Sequence, residues 1–246
     1  MGLLYALKTL FLTRQFRNAL KQVHVKPPMA VLGPPSIKSV LRIAYFAHGK
    51  RGNVYTGIFK GRKIVIKMKR PESEALGRIE NEIRFLRILN AKHIGPTMLL
   101  WDKRKFSYFG YAYVDGVFFP PFLERCGKKD RRLVSGIIAD IFSQCFALDQ
   151  WGINKEEMSH PQKHIIISRR TKRPVLIDFE RCHYTEKPGN VTQFTSYLLS
   201  NLIHHLLKGI GLKYTRKGII ASAKAYHKKR DRKSLDKIIS SFSLSS

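Results

Sequence analysis

Pro174-Val175-Leu176-Ile177-Asp178-Phe179-Glu180 carries the reading of this chain. A carboxylate placed directly after an apolar, β-branched run is expected at the end of a buried strand, aimed into a cleft. Burying such a charge is unfavourable unless a cation meets it. The Asp178-Phe179-Glu180 tripeptide gains its weight from what precedes it in order: a glycine-rich turn, a lysine within a strand and a glutamate on a helix.

The turn is Ala47-His48-Gly49-Lys50-Arg51-Gly52-Asn53-Val54, with the pattern A-x-G-x-x-G-x-V. Glycines between two strands let backbone N–H groups approach phosphate oxygens; a plain hairpin turn is the other reading. Lys67 follows inside Ile64-Val65-Ile66-Lys67-Met68. An inward lysine there needs a partner, unless it snorkels to the surface beside Lys63, Lys69 and Arg70. Glu82 is the partner expected from the next helix, with Glu80 as its rival.

The wider pattern is β-rich first and helical later. Residues 3–24 read as an amphipathic helix, with Leu3, Leu7, Leu10 and Phe11 on one face and Lys8, Arg14, Arg17 and Lys21 around the rest. Pro27-Pro28 and Gly33-Pro34-Pro35 form a linker. Short strands are predicted at Val40–Phe46, Val54–Phe59 and Lys63–Met68, with Gly61-Arg62 as the turn between the last two. A helix over 72–91 would turn Leu76, Ile79, Ile83, Leu86 and Leu89 inward. Strands near Thr97–Asp102 and Ser107–Tyr113 precede a break at 113–116. A long helix near Arg132–Gln150 follows, with Leu133, Ile137, Ile141, Cys145 and Leu148 inward. An irregular stretch, 151–163, leads to strands at 164–168 and 174–178. Asn190 reads as the N-cap of a helix over about 191–207, with Gln193 completing a capping-box variant.

This ordered set resembles the protein-kinase-like fold over about 40–205, most nearly the small predicted serine/threonine kinases of archaea and more distantly the RIO kinases. The resemblance implies an α+β, two-lobed protein-kinase-like fold with a β-rich N-lobe and a reduced helical C-lobe. Its divisions are 1–35 (basic helix and linker), 36–113 (N-lobe), 114–208 (C-lobe) and 209–246 (basic helical tail). It implies ATP and Mg²⁺ as cofactors, with Mn²⁺ as the alternative ion. Lys67 would hold the α- and β-phosphates, Glu82 would position Lys67, and Asp178 would bind the metal. The glycine-loop role falls to Gly49 and Gly52, flanked by Ala47 and Val54. The adenine-binding hinge falls to the backbone of Tyr113, Val114 and Asp115.

The chain departs from that pattern in the loop before the last two strands. No His-Arg-Asp occurs. Counting forward from Gly152-Ile153 puts the aspartate position on Glu157, with Glu156 as alternate; counting back from Ile165 puts it on Ser159 and the asparagine position on His164. Glu157 is the candidate base or hydroxyl-orienting group. His164 is the second candidate metal ligand, although imidazole suits Mn²⁺ or Zn²⁺ better than hard Mg²⁺; it could instead donate to a phosphate. There is little room for an activation loop between Arg181 and Gly189, so regulation by loop phosphorylation is not expected.

Charge narrows the partners. Across 246 residues, 46 Lys and Arg face 17 Asp and Glu, a net charge of +29. Fifteen basic residues precede the first acidic one, Glu72, and eleven lie between Lys208 and Lys237. A field of this sign attracts polyanions, RNA or a ribosomal particle among them. Three scattered cysteines (Cys126, Cys145, Cys182) without tight metal spacing suit a reducing, cytoplasmic setting. No apolar run approaches the ~18–20 residues of a membrane span, and the Met1–Leu12 start, broken by Lys8, is not read as a signal peptide. The expected activity is ATP-dependent phosphoryl transfer to Ser or Thr of a protein acceptor. The alternative is an ATP-gated module, or slow ATPase, acting on RNA or ribosomal particles.

Overall fold

The computed structural model describes residues 36–48, 52–69 and 77–242. The predicted N-terminal helix and linker, Gly49 and Leu76 lie outside the described residues. The fold is α+β, with a sheet in the N-terminal part and helices in the C-terminal part.

Five antiparallel strands build the sheet: β1 (Leu41–His48), β2 (Gly52–Phe59), β3 (Arg62–Lys69), β4 (Met98–Trp101) and β5 (Tyr108–Ala112), in the order β1-β2-β3-β5-β4. The β2–β3 turn is Lys60-Gly61 rather than Gly61-Arg62. Both residues have positive φ (48° and 74°), as a two-residue hairpin loop requires, and Arg62 is already paired with Phe59. Helix α1 (Arg78–Asn90) crosses one face of the sheet. Its buried residues are Glu82, Ile83, Phe85, Leu86 and Leu89, so the predicted apolar stripe is present with one carboxylate set inside it.

Past β5 the chain forms β6 (Gly116–Phe118), which pairs with β8 (Ile165–Ser168), and β8 pairs with β9 (Pro174–Leu176). The short helix α2 (Phe119–Glu124) follows β6, and the central helix α3 (Arg131–Gln150) runs through the core. Leu133 is not inward: it is 37% exposed, and Val134 takes the buried position one residue on. The stretch 151–163 is not shapeless either. It contains β7 (Ile153–Asn154), which pairs with β10 (His183–Tyr184), and a 3₁₀ turn over Glu156–Ser159.

The predicted helix over 191–207 is two helices, α4 (Asn190–Leu198) and α5 (Asn201–Gly209). Asn190 does not cap. It is fully buried inside the first turn, where its Nδ2 donates to Asp149 Oδ1 (2.7 Å) and to the Ile153 carbonyl (2.6 Å), while its Oδ1 accepts from the Lys155 N–H (2.8 Å). Gln193 Nε2 donates to Asn154 instead of closing a capping box. The basic C-terminal stretch is part of the same core: Ile219 and Tyr226 on α6 (Arg216–Lys229), and Leu235, Ile238 and Phe242 on α7 (Arg232–Phe242), are buried within it. No helix among the described residues is long and apolar enough to cross a membrane.

Asp149 also accepts from Tyr226 Oη (2.9 Å) and the Asn190 and Val191 N–H groups. One buried carboxylate therefore joins the ends of α3, α4 and α6. Replacing Asn190 by Ala orphans several buried polar groups at once, and an orphaned buried group costs about 1–3 kcal/mol. Asn190→Ala is expected to lower stability by about 2–3 kcal/mol in urea unfolding, and Tyr226→Phe by about 1 kcal/mol.

Candidate functional site

The sheet and the helical part meet along a cleft of about 570 Å³. Its lining includes Gly52 and Val54 of β2, Lys67 of β3, Glu82 of α1, and Glu157, His164 and Asp178 of the helical part. Sequence reasoning named all seven. Ala47, Tyr113 and Val114 are not among the lining residues. Tyr113 continues β5, its N–H bonded to the Lys63 carbonyl (3.1 Å) and its ring under the Lys63 ammonium at 4.1 Å.

Lys67 does not snorkel. Its ammonium donates to both oxygens of Glu82 (2.7 and 2.9 Å) and to Asp178 Oδ1 (3.0 Å). Three elements far apart in sequence meet there. β3 alternation points Lys67 at α1, the helical period turns Glu82 inward, and Asp178 stands two residues past β9. Glu80 pairs instead with Arg84 on the solvent side of α1.

The backbone at Asp178 is unusual. Its φ is +64°, a left-handed conformation that non-glycine residues seldom adopt and that concentrates at functional sites. Two side chains grip the following peptide. Lys155 Nζ donates to the Asp178 carbonyl, and the Phe179 N–H donates to Glu82 Oε1 (3.3 Å). Phe179 is fully buried, and its ring lies so close to Gly95 that a Cβ there would stand 2.9 Å from it. Asn81 Nδ2 then holds the Glu180 and Cys182 carbonyls (2.9 Å each). These contacts fix Asp178 with its carboxylate turned into the cleft.

Lys155 was missed by the sequence reading. It is fully buried, its ammonium 3.3 Å from Glu157 Oε2 and 5.1 Å from the centre of the Phe179 ring. A basic residue beside two glutamates in a presumed loop looks solvated; burial alone reveals it. Glu157 is held on its other side by Arg181 (3.7 Å), which also binds Glu156 Oε2 (2.6 Å).

The electrostatics follow from this packing. Burial pulls the Lys67 ammonium down, but Glu82 and Asp178 outweigh it and hold its pKa well above the ordinary lysine value. Burial would push Asp178 up, but the Lys67 and Lys155 charges hold it down at about 2. Glu82 is pushed up by burial and pulled back by Lys67. Its shift favours a proton while that of Lys67 favours the ion pair. The two short contacts and the Phe179 N–H decide for the ionised pair. Burial and the nearby Lys155 charge lower His164 and favour neutral imidazole.

Among the described residues, no group of three or more His, Cys, Asp or Glu side chains is placed to hold a metal ion. His164 Nδ1 is buried without a hydrogen-bond partner and faces Asp178 Oδ2 at 3.7 Å, both in the cleft. No family model matches the chain, and no curated protein matches its sequence.

Removing Lys67 strands a buried carboxylate. Lys67→Met is expected to cost about 3–5 kcal/mol, and adding Glu82→Gln to recover part of it, read as a double-mutant cycle in urea. The Asp178 contribution has a definite sign. Its folded pKa lies below the ~3.9 of an unfolded aspartate, so its stabilisation is present above about pH 4 and is lost as pH falls toward 2. Asp178→Asn is expected to be less stable than the unaltered chain at pH 6, by about 2 kcal/mol, with the difference shrinking toward zero as pH falls to about 2 and below.

Proposed function

We propose that this chain is an ATP-dependent phosphotransferase of the protein-kinase-like kind, with the sheet and helical parts acting as its two lobes. One observation carries the reading: the Lys67 ammonium is held between Glu82 and Asp178 on the wall of a cleft that Gly52 also lines. A lysine in that setting is fixed and charged before any ligand arrives, as phosphate binding requires.

Lys67 binds phosphate oxygens, while Glu82 keeps it from swinging away. Asp178, with His164 beside it, would hold a divalent cation, which would supply neutralising charge to the phosphates. The neutral imidazole and single carboxylate suit Mn²⁺ at least as well as Mg²⁺. Glu157 orients an acceptor hydroxyl and takes its proton as the new O–P bond forms and the bond to the departing ADP oxygen breaks. Lys155 and Arg181 restrict Glu157 to one orientation. Serine or threonine of a protein is the acceptor that the sequence resemblance favours.

A second reading draws on the exposed Lys217, Lys224 and Lys228 of α6, which follow one another at helical spacing and suit a polyanion such as RNA. Incubation with γ-labelled ATP and Mg²⁺ or Mn²⁺ separates the two. Label on protein is expected, falling about 100-fold or more in Lys67→Ala and Asp178→Asn. Label released only as free phosphate, with nucleotide-dependent RNA binding that weakens steeply with salt, selects the second reading. Transfer undiminished in Lys67→Ala removes the first.

A further inference from the structure

Lys67 is not the last cation on its face of β3. Residues two apart on a strand share a face and stand about 7 Å apart. Lys69 therefore lies on the same side, one step further along the cleft wall. That step has a direction. The start of β3 meets Tyr113 through the Lys63 carbonyl, and its end meets the β4–β5 turn, where the Lys69 N–H donates to the Ser107 carbonyl (2.8 Å). Lys67 thus divides the wall into a Tyr113 end and a far end.

The start of α1 is also at the far end. Gly52 pairs with Lys69 across the strands, and a Cβ on Gly52 would stand 4.0 Å from Ile79 Cδ1. The far end is consequently rich in cations: Lys69 from β3, Arg78 from the first turn of α1 and Lys105 from the β4–β5 turn all line the cleft. Lys163, beside His164, adds a fourth from the helical part. Lys69, Lys105 and Lys163 are exposed, and Arg78 is half-buried. Among the described residues, none of the four takes part in an ion pair.

Five acids share the lining, and they do not use these cations. Glu82 and Asp178 are paired with Lys67, Glu157 with Lys155 and Arg181, and Glu80 with Arg84; Glu180 is the fifth. The inner charges hold each other, while the outer cations face the entrance open. We propose that Lys69, Arg78, Lys105 and Lys163 receive the acceptor, and that they select a protein segment with acidic residues beside the serine or threonine to be modified. The inference rests on the phosphotransfer reading, in which Lys67 is engaged by phosphates and the far end is left to the acceptor.

An extended segment sends alternate side chains to opposite sides. Acidic neighbours of the hydroxyl-bearing residue can then meet β3 and α1 on one side and Lys163 on the other. Each such pair at an exposed site is weak, so selection comes from several acting together. The net charge of +29 works in the same sense, drawing acidic segments in and turning basic ones away. Nucleic acid is the poorer fit. Single strands are held by successive aromatic stacks along a basic groove, and Phe106 is the one Phe, Tyr or Trp on this lining among the described residues. A phosphodiester also carries a charge at every step, and the acids of the wall would repel part of that row.

Three serine peptides of equal length test the inference on the full chain, with labelled ATP and Mg²⁺ or Mn²⁺: one flanked by Asp and Glu, one by Asn and Gln, one by Lys and Arg. The acidic peptide is expected to show a kcat/KM at least about ten-fold above the neutral one, carried mainly by KM, with a gap that narrows as salt rises. Lys69→Glu with Lys105→Glu should erase or invert the order of the three peptides. Lys233→Glu with Lys237→Glu makes the same change of charge on α7 and should keep the order. Fluorescence anisotropy of the labelled acidic peptide without ATP reads the site apart from the chemistry. Binding that the Lys69 and Lys105 pair weakens about ten-fold and the α7 pair does not, with no label transferred, leaves the acidic-segment site standing and removes the phosphotransfer reading. Label transferred without regard to flanking charge overturns the inference and leaves that reading standing. An equal loss of preference in both variant pairs, transfer to an RNA oligonucleotide in place of peptide, or neither transfer to nor binding of the acidic peptide also overturns it.

Discussion

The peptide between Asp178 and Phe179 is held from both sides by charge. Lys155 takes its carbonyl and Glu82 takes its N–H. Glu82 simultaneously binds Lys67, and Lys67 binds the Asp178 carboxylate. β3, α1, the 3₁₀ turn region and the end of β9 thus meet in one buried network. Each buried ion has a partner, which is the condition for keeping charge out of water. The positive φ at Asp178 persists because the surroundings specify it, and it sets the direction in which the carboxylate points.

A second network does for the helical part what the first does for the cleft. Asp149 and Asn190 tie α3 to α4 and α6, and Asn190 also accepts the Lys155 N–H. The two networks therefore share a residue. The backbone of Lys155 is set by Asn190, and its side chain sets Asp178. Packing in the helical core is in this way connected to geometry at the cleft, through hydrogen bonds rather than through apolar contact alone.

The positive charge is unevenly used. Lys67 and Lys155 are buried and paired. The cations of α6 and α7 sit mostly on the outer surface, while Ile219, Tyr226, Leu235 and Ile238 of the same helices fill the core. A basic stretch read as a tail is thus also a structural wall, since a helix can give one face to the core and the other to water.

Local pattern by itself determined the strand-rich beginning, the helical end and the trio of Lys67, Glu82 and Asp178. Alternation and helical period are local properties, and a charge amid apolar residues announces that it needs a partner. The split between α4 and α5, the exposure of Leu133 and the inward turn of Asn190 were beyond it. A one-residue shift of a helical face, or an asparagine that binds a distant carboxylate instead of its own helix, depends on neighbours 30 or more positions away. Lys155 belongs to the same class. Its neighbours in sequence are two glutamates and an asparagine, and nothing local marks it as buried. Tertiary structure decided its role, because the Asp178 carbonyl that its ammonium binds lies 23 positions on and meets it only in the folded chain.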